Sequence, residues 1–368
     1  RLQHERLVHR EADVRLPTKR VRICRGCGAG HWNDADSMCH ACRAPLGDAE
    51  IINDTYRIEN VATRPVERIT ANDEERQRRG FELQTTFEWV TRDSVLDVRS
   101  GAAVDAGGEI ATLAYGPGAT ITRINKGLRR RRNKTELGYM MDPVSGYWKK
   151  GEEEGEGEDD PTASPRQRIV PTVQDRKNAL LLKPADPELT QTALTTVQHA
   201  LLRGIEAVFQ LEEGEILAEP MPTRGERSGY LFYEATEGGA GVLTRLVAEP
   251  ERMAEVASEA LGIMHFDLSS GLPEVPTVLA DAPGTECVAA CYRCIMSYFN
   301  QPDHELLDRR DPQARALLLR LARAGLSGLE PPVSRRSGRP NMGQQVESDG
   351  PLVAWLDYAR ARELPLPD

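Results

Sequence analysis

All seven cysteines of this 368-residue chain fall into two tight groups. The first reads Cys24-x2-Cys27-x11-Cys39-x2-Cys42 and the second Cys287-x3-Cys291-x2-Cys294. Nothing else in the sequence limits the fold so strongly, because thiols at these spacings have to converge on something. An odd number in tight groups argues against a disulfide framework and fits metal binding in a reducing compartment. Two CxxC knuckles bring four thiolates within reach of one tetrahedral ion, with Zn–S near about 2.3 Å. Residues 21–50 are therefore expected to form a zinc ribbon held by Cys24, Cys27, Cys39 and Cys42. Gly26 and Gly28 are expected to let backbone amides approach the sulfurs. His31 and His40 lie nearby, but four thiolates already complete the site. A closed site of this kind holds a fold together and leaves no open position for catalysis.

The second group is one ligand short. Three residues can supply the fourth: His304, Asp303 and His265. A helix through Tyr292–Asn300 would carry the chain about 12 Å from the metal. Pro302 is expected to end it, since proline lacks an amide proton and restricts the residue before it. Four residues of extended chain then return about 13 Å. On that geometry, and because imidazole is a natural partner of thiolates, His304 is assigned to the site with Cys287, Cys291 and Cys294. His265, on an expected strand in "IMHFDL", is the rival, and Asp303 is the weaker one. Two zinc ions per chain are expected.

A hydrophobic share of 39% allows a sizeable core. The expected class is α+β: a zinc ribbon, a small antiparallel β-rich module and a mixed α/β zinc-binding domain. Residues 1–20 read as a connector, and a first residue of Arg1 reads as mid-chain sequence, as in a piece of a longer protein. Residues 51–150 read as the β-rich module. Within it "FELQTTFEWV" alternates Phe81, Leu83, Thr85, Phe87 and Trp89 on one face, "ATITRIN" is a further strand, and "YMMDPVSGYW" is a hairpin. The acidic, glycine-rich run within 151–168 is too polar to pack and reads as a linker. Residues 169–330 form the second zinc domain, with helices over 187–211, 251–261 and 311–324. Residues 331–368 read as a polar linker and a terminal helix near 352–360. The net charge is −10, yet residues 1–150 are net basic and the remainder strongly acidic. The basic part suits a nucleic-acid surface and the acidic part protein contacts. No apolar run approaches the roughly 20 residues of a membrane span, and the cytoplasm is the expected compartment.

The stretch "LFYEATEGGAGV" followed by "CVAACYRCIMSYFNQPDHELLDR" resembles the zinc-binding domain (MZB) at the C-terminus of MrfA-type superfamily 2 DNA helicases. The helix "TALTTVQHALLRGIE" fits the same domain. The stretch from Tyr56 to Thr85 is similar to the segment upstream of it in large bacterial helicases of phage-defence islands, DISARM-like and Druantia-like systems among them. The resemblance implies a zinc-binding helicase region. The family's site has four cysteines, whereas this chain has three. The turn Gly238-Gly239-Ala240-Gly241 lies between a strand and a helix. It lacks the Lys-Ser/Thr of a phosphate loop and is read as close helix–strand packing.

No GxxxxGK[ST] motif occurs, and "NDEE" at 72–75 follows polar residues rather than a buried strand. ATP and Mg²⁺ are therefore expected only through upstream or partner motor domains. "RINKGLRRRRNK" supplies Arg123, Lys126, Arg129, Arg130, Arg131, Arg132 and Lys134, with Tyr139, Tyr147 and Trp148 downstream. Such a run can neutralise phosphates while aromatics stack on unpaired bases. The expected function is a non-catalytic helicase region that guides single-stranded DNA and braces the motor in anti-phage defence. The alternative is a protein scaffold subunit that does not touch DNA.

Overall fold

The computed structural model describes residues 2–4, 15–59, 61–63, 80–93, 95–144, 146, 148, 166–236 and 239–329. Its centre is an eleven-stranded sheet: β1 (Lys19–Ile23), β2 (Gly30–His31), β3 (Glu50–Arg57), β4 (Phe81–Glu88), β5 (Arg99–Asp105), β6 (Gly108–Leu128), β7 (Tyr139–Met141), β8 (Gln167–Pro184), β9 (Ile216–Met221), β10 (Gly229–Glu234) and β11 (Gly325–Ser327). The main path runs β11-β5-β6-β8-β3-β1-β2, with β10 and β9 added beyond β8 and β4 beyond β6. All pairs are antiparallel except β3 with β8, where Thr55 faces Val170.

Two long strands, β6 and β8, form the spine. Ala111 to Ile124 pairs with Pro184 to Thr172. A strand of 21 residues cannot stay flat, because sheets twist, and the sequence Gly116-Pro117-Gly118 accommodates the bend. The register slips between Gly116 and Ala119, and Gly118 sits at φ +66° and donates its N–H to Asn178 Oδ1 at 3.2 Å. A Cβ on Gly116 would lie 2.5 Å from the Trp89 ring, so only glycine lets the indole lie on the bend. The sheet thereby divides into two halves. Before the bulge β6 pairs with β5, and after it with β4.

Helices cover the first half: α1 (Gln191–Val208), α2 (Val242–Ala248), α3 (Arg252–Ile263) and α4 (Pro312–Leu321). Thr190 caps α1 by accepting from the Ala193 amide at 3.1 Å, and Asp311 caps α4 through Ala314 at 2.8 Å. Leu194, Val197, Leu201 and Ile205 of α1 are buried with Leu180, Leu182 and Phe232 of the sheet. Each such side chain contributes about 2 kcal/mol of burial. Gly204 brings α1 against α3, since a Cβ there would lie 2.4 Å from the Val256 carbonyl. The ribbon covers the second half: Cys24, Cys27 and Cys39 share a core with Phe87, Trp89, Ala119 and Ile121.

The helices expected over 187–211, 251–261 and 311–324 are present to within a few residues at each end. One strand face differs from its expectation. Thr85, Phe87 and Trp89 are buried, but Phe81 and Leu83 are 50% and 63% exposed. On the other face Gln84 and Thr86 are buried, because the ribbon lies over that end of the strand: Thr86 Oγ1 donates to the Gly28 carbonyl at 2.7 Å. The expected hairpin at 139–148 closes through a bridge from Met141 to Trp148. Most of the acidic run, "NDEE", and residues 331–368 lie outside the described residues. No helix among the described residues is long and apolar enough to cross a membrane.

Candidate metal centres and nucleic-acid surface

The first tetrad is built from two similar knuckles. In one, the Cys24 carbonyl accepts from Gly28 N–H at 2.8 Å; in the other, the Cys39 carbonyl accepts from Arg43 N–H at 3.0 Å. Each ends in a left-handed residue, Gly28 at φ +79° and Arg43 at φ +62°. Gly28 is needed for that conformation and because a Cβ would strike Met221 Sδ at 2.6 Å, a reason the sequence did not reveal. The Cys24–Cys42 and Cys27–Cys39 sulfurs are each 3.6 Å apart. Four sulfurs around a tetrahedral zinc stand about 3.8 Å apart, so the cage is already at metal-binding size. The crowded thiols split in acidity. Hydrogen bonding from Cys27 holds Cys24 far below the thiol range, while Cys27 is driven far above it by Cys24. Cys39 is pushed up to about 12 by its bond with Cys24, and Cys42 is drawn down to about 6 by Cys27. Four sulfurs this close cannot all ionise unless a cation lies between them.

The second tetrad contains Cys287, Cys291, Cys294 and His265. Cys287 and Cys294 sulfurs are 3.9 Å apart, and His265 Nε2 is 3.2 Å from Cys291 Sγ. The expectation that His304 completes this site is corrected by the geometry. His304 Nε2 instead lies 2.9 Å from Asn300 Oδ1 and 3.0 Å from the Ser297 carbonyl. The chain reversal behind that expectation is also different: no α-helix runs through Tyr292–Asn300, and Pro302 lies inside a 3₁₀ turn, Gln301–Leu306. Asp303 is engaged elsewhere. It accepts from buried Arg227 and pairs with His199, each at 2.9 Å. Burial alone would raise its pKa, but the bond to His199 and the charge of Arg227 hold it down to about 2.

His265 follows the last turn of α3, not a strand. Its N–H bonds the Gly262 carbonyl at 2.9 Å, and Phe266 N–H bonds the Leu261 carbonyl at 3.2 Å. This is a Schellman termination, in which the residue after the helix cap is left-handed and usually glycine. Here it is a histidine at φ +64°, a conformation that costs an L-residue about 1–2 kcal/mol. Strain of that kind persists where the surroundings over-determine it, and the imidazole aimed at Cys291 is the return. The absence of glycine or asparagine between Ile263 and Ser269 was the available sequence signal. Arg309, fully buried, fastens the two ligand-bearing segments together. It donates to the carbonyls of Met264, His265 and Cys287, the last two at 3.1 Å, and its guanidinium lies 4.5 Å from the Phe266 ring centre. The residues of both tetrads fit zinc in number, donor type and spacing, so the chain holds two zinc sites.

The basic run is less free than its sequence. Arg123 bonds Tyr233 Oη and lies 3.5 Å from Glu219, and Lys126 pairs with Glu50. Arg131 folds back onto Glu82 at 2.6 Å and onto the Leu128 and Lys134 carbonyls. Lys134 reaches the Arg129 carbonyl, and Arg129 Nε the Phe81 carbonyl. Arg130 and Arg132 are exposed and make no hydrogen bond or ion pair among the described residues. Phe81, whose carbonyl accepts from Arg129 Nε of the same turn, forms with Tyr139 and Trp148 a chain of edge-on rings with centres 6.4 and 5.8 Å apart. Tyr147 lies outside the described residues. At the glycine turn, Glu234 accepts from Leu243 N–H at 2.9 Å and Gly241 N–H at 3.2 Å. A carboxylate of the chain itself thus takes the place a phosphate would need at the start of α2.

No curated protein matches the chain. Among solved structures, "Crystal Structure of DUF1998 helicase MrfA bound to DNA" is similar at a TM-score of 0.34 and 11% identity, covering 66% of this chain and 25% of that one. The chain therefore spans about a quarter of that protein's length. Residues 197–295, which include His265 and all three cysteines of the second tetrad and stop short of His304, match the family model of the MrfA Zn-binding domain, MZB.

Proposed function

We propose that this chain is a non-catalytic, zinc-braced region of a DNA helicase, which supports the motor and guides single-stranded DNA. The observation that carries the reading is the MZB match over 197–295 with a zinc tetrad inside it. ATP and Mg²⁺ are handled by motor domains in cis or in trans, since the sequence holds no phosphate loop. The DNA contact is supported by Arg130 and Arg132, exposed and unpaired among the described residues, on a turn that Arg129 fastens to Phe81 of the Phe81–Tyr139–Trp148 rings. Anti-phage defence is the setting implied by the resemblance of the Tyr56–Thr85 stretch, and the cytoplasm keeps the thiols reduced.

A second reading, a protein scaffold, is favoured by one observation. Val288, Tyr292, Tyr298 and Phe299, all more than half exposed, lie within twelve residues of chain in and just after the cysteine loop of the second tetrad, and apolar residues grouped on a surface mark protein contacts. A gel shift with an unstructured single strand across a salt series separates the readings. The helicase reading expects binding that weakens steeply with salt. It also expects Arg130→Ala with Arg132→Ala to reduce the salt slope by roughly 1.4, at about 0.7 per lost phosphate contact. Absence of binding at low salt, with binding to the motor chain retained, leaves the scaffold.

A further inference from the structure

We infer that the polar face of the second half-sheet, beside the ribbon, is a second groove for single-stranded nucleic acid, separate from the basic turn. The inference rests on the reading that this chain contacts nucleic acid, and it assigns where the strand lies. The sheet carries a groove of about 620 Å³ there. Its floor is set by register. Glu88, Thr120 and Arg176 form one cross-strand row on β4, β6 and β8. Thr172 pairs with Arg57, and Thr55 with Lys19, at the other end. Trp32 of the ribbon lines it, half-buried against the apolar cluster of Val21, Ile23, Ile52, Ile124 and Val170.

Three features point to a polynucleotide. First, a sheet face lined by Thr55, Thr120, Thr172 and Gln174 in place of aliphatic residues is not built to be covered by a helix. Second, the cations Lys19, Arg57 and Arg176 outnumber the carboxylates Glu88 and Asp175. Lys19 and Arg176 make no ion pair among the described residues, and Arg57 reaches only Glu59, at 3.7 Å. Glu88 is the carboxylate in the cross-strand row, so its charge opposes an anion in the groove and its removal is a direct probe. Third, the outer edge of β8 pairs with β3 up to Thr172 and with β10 from Ala179, and with no strand between them among the described residues. That gap leaves room for a chain to cross the sheet. Phosphates would meet Lys19, Arg57 and Arg176, and a base would stack on Trp32, the combination that single-strand binders use.

The test is fluorescence anisotropy with a short oligothymidylate at several salt concentrations, using the full chain with both zinc sites loaded. Lys19→Ala/Arg57→Ala/Arg176→Ala is expected to flatten the salt slope by about 2. Trp32→Ala is expected to weaken binding roughly tenfold. Glu88→Gln is expected to tighten binding about threefold by removing a like charge, a gain that misfolding cannot imitate. Zinc content of each variant reports the fold. Wild-type binding that the triple variant and Glu88→Gln both leave unchanged overturns the groove while the basic turn stands. The groove is equally overturned if the triple variant loses only poly-glutamate affinity, which assigns it to an acidic peptide. No wild-type binding at all overturns the groove and the helicase reading together.

Discussion

The two metal centres solve the same problem in opposite ways. The first takes its four ligands from 19 residues of continuous chain, Cys24 to Cys42, with two near-identical knuckles whose geometry is local. The second takes three ligands from one loop and the fourth from the end of α3, twenty-two residues before Cys287. It holds that ligand in a strained conformation and relies on Arg309, fifteen residues beyond Cys294, to lock the segments. A local site can form as soon as its own turn forms, whereas the second requires α3, the cysteine loop and Arg309 to be in place first. The first is thus part of the core of its half-sheet, and the second is the closing element of a helical layer.

The largest expected effect breaks the first centre. Cys27→Ser should lower the zinc count from two to one and leave the protein insoluble or unfolded. Metal-binding free energy of about 10–16 kcal/mol in such sites is also folding energy, and Cys27 lies in one core with Phe87 and Trp89. Cys291→Ser should remove one zinc as well, yet leave the sheet folded by circular dichroism. Equal damage from the two would show the centres to be equally structural, and a wild-type zinc count below two would contradict both.

The next effect distinguishes the histidines. His265→Ala is expected to release the second zinc to a chelator at least tenfold faster than wild type, while the ribbon keeps its own. His304→Ala should leave both in place, and His265→Cys should retain the metal through a fourth thiolate. Release from His304→Ala but not from His265→Ala would reverse the assignment made from geometry.

Arg309→Lys keeps the charge but loses the fork that spans three carbonyls. Zinc affinity at the second centre alone should fall about 10–100-fold, the usual cost of removing a group that orients ligands. A matching loss at the ribbon would mean a general weakening of the fold. The smallest effect concerns strain. In zinc-free protein His265→Gly should raise stability by about 1 kcal/mol in urea, because glycine adopts the left-handed region freely. Lowered stability would show that the imidazole contributes packing even without metal.

The ribbon and the helices were legible for the same reason. CxxC spacing, the recurrence of Leu194, Val197, Leu201 and Ile205, and caps such as Thr190 and Asp311 are short-range signals, and short-range geometry is carried by short stretches of sequence. The MZB resemblance was legible from the three cysteines and the glycine turn. The fourth ligand was not, although His265 was among the possibilities. Chain reach allowed both histidines, and a reach argument built on Pro302 favoured the one nearer in sequence. The real determinant was a helix end that lacks glycine, a signal that acquires meaning only once α3 is known to stop at Ile263. The basic run was legible only in part, for a related reason. Seven cations in a row of text looked alike, but pairing to Glu50, Glu82, Glu219 and backbone carbonyls leaves Arg130 and Arg132 free.

By itself, then, the sequence determined which residues are chemically able to act: seven thiols in two groups, a basic turn beside aromatics, an α+β pattern and no phosphate loop. Tertiary structure decided which of them meet. It paired β6 with β8 across the acidic stretch, set Trp32 against a polar sheet face, and brought His265 to Cys291 and Arg309 to both. The physical reason is that contacts between distant segments are fixed by strand register, by helix ends and by the bend at Gly116–Gly118. Each of these depends on the packing of the whole sheet and leaves only a faint mark on the residues that it finally brings together.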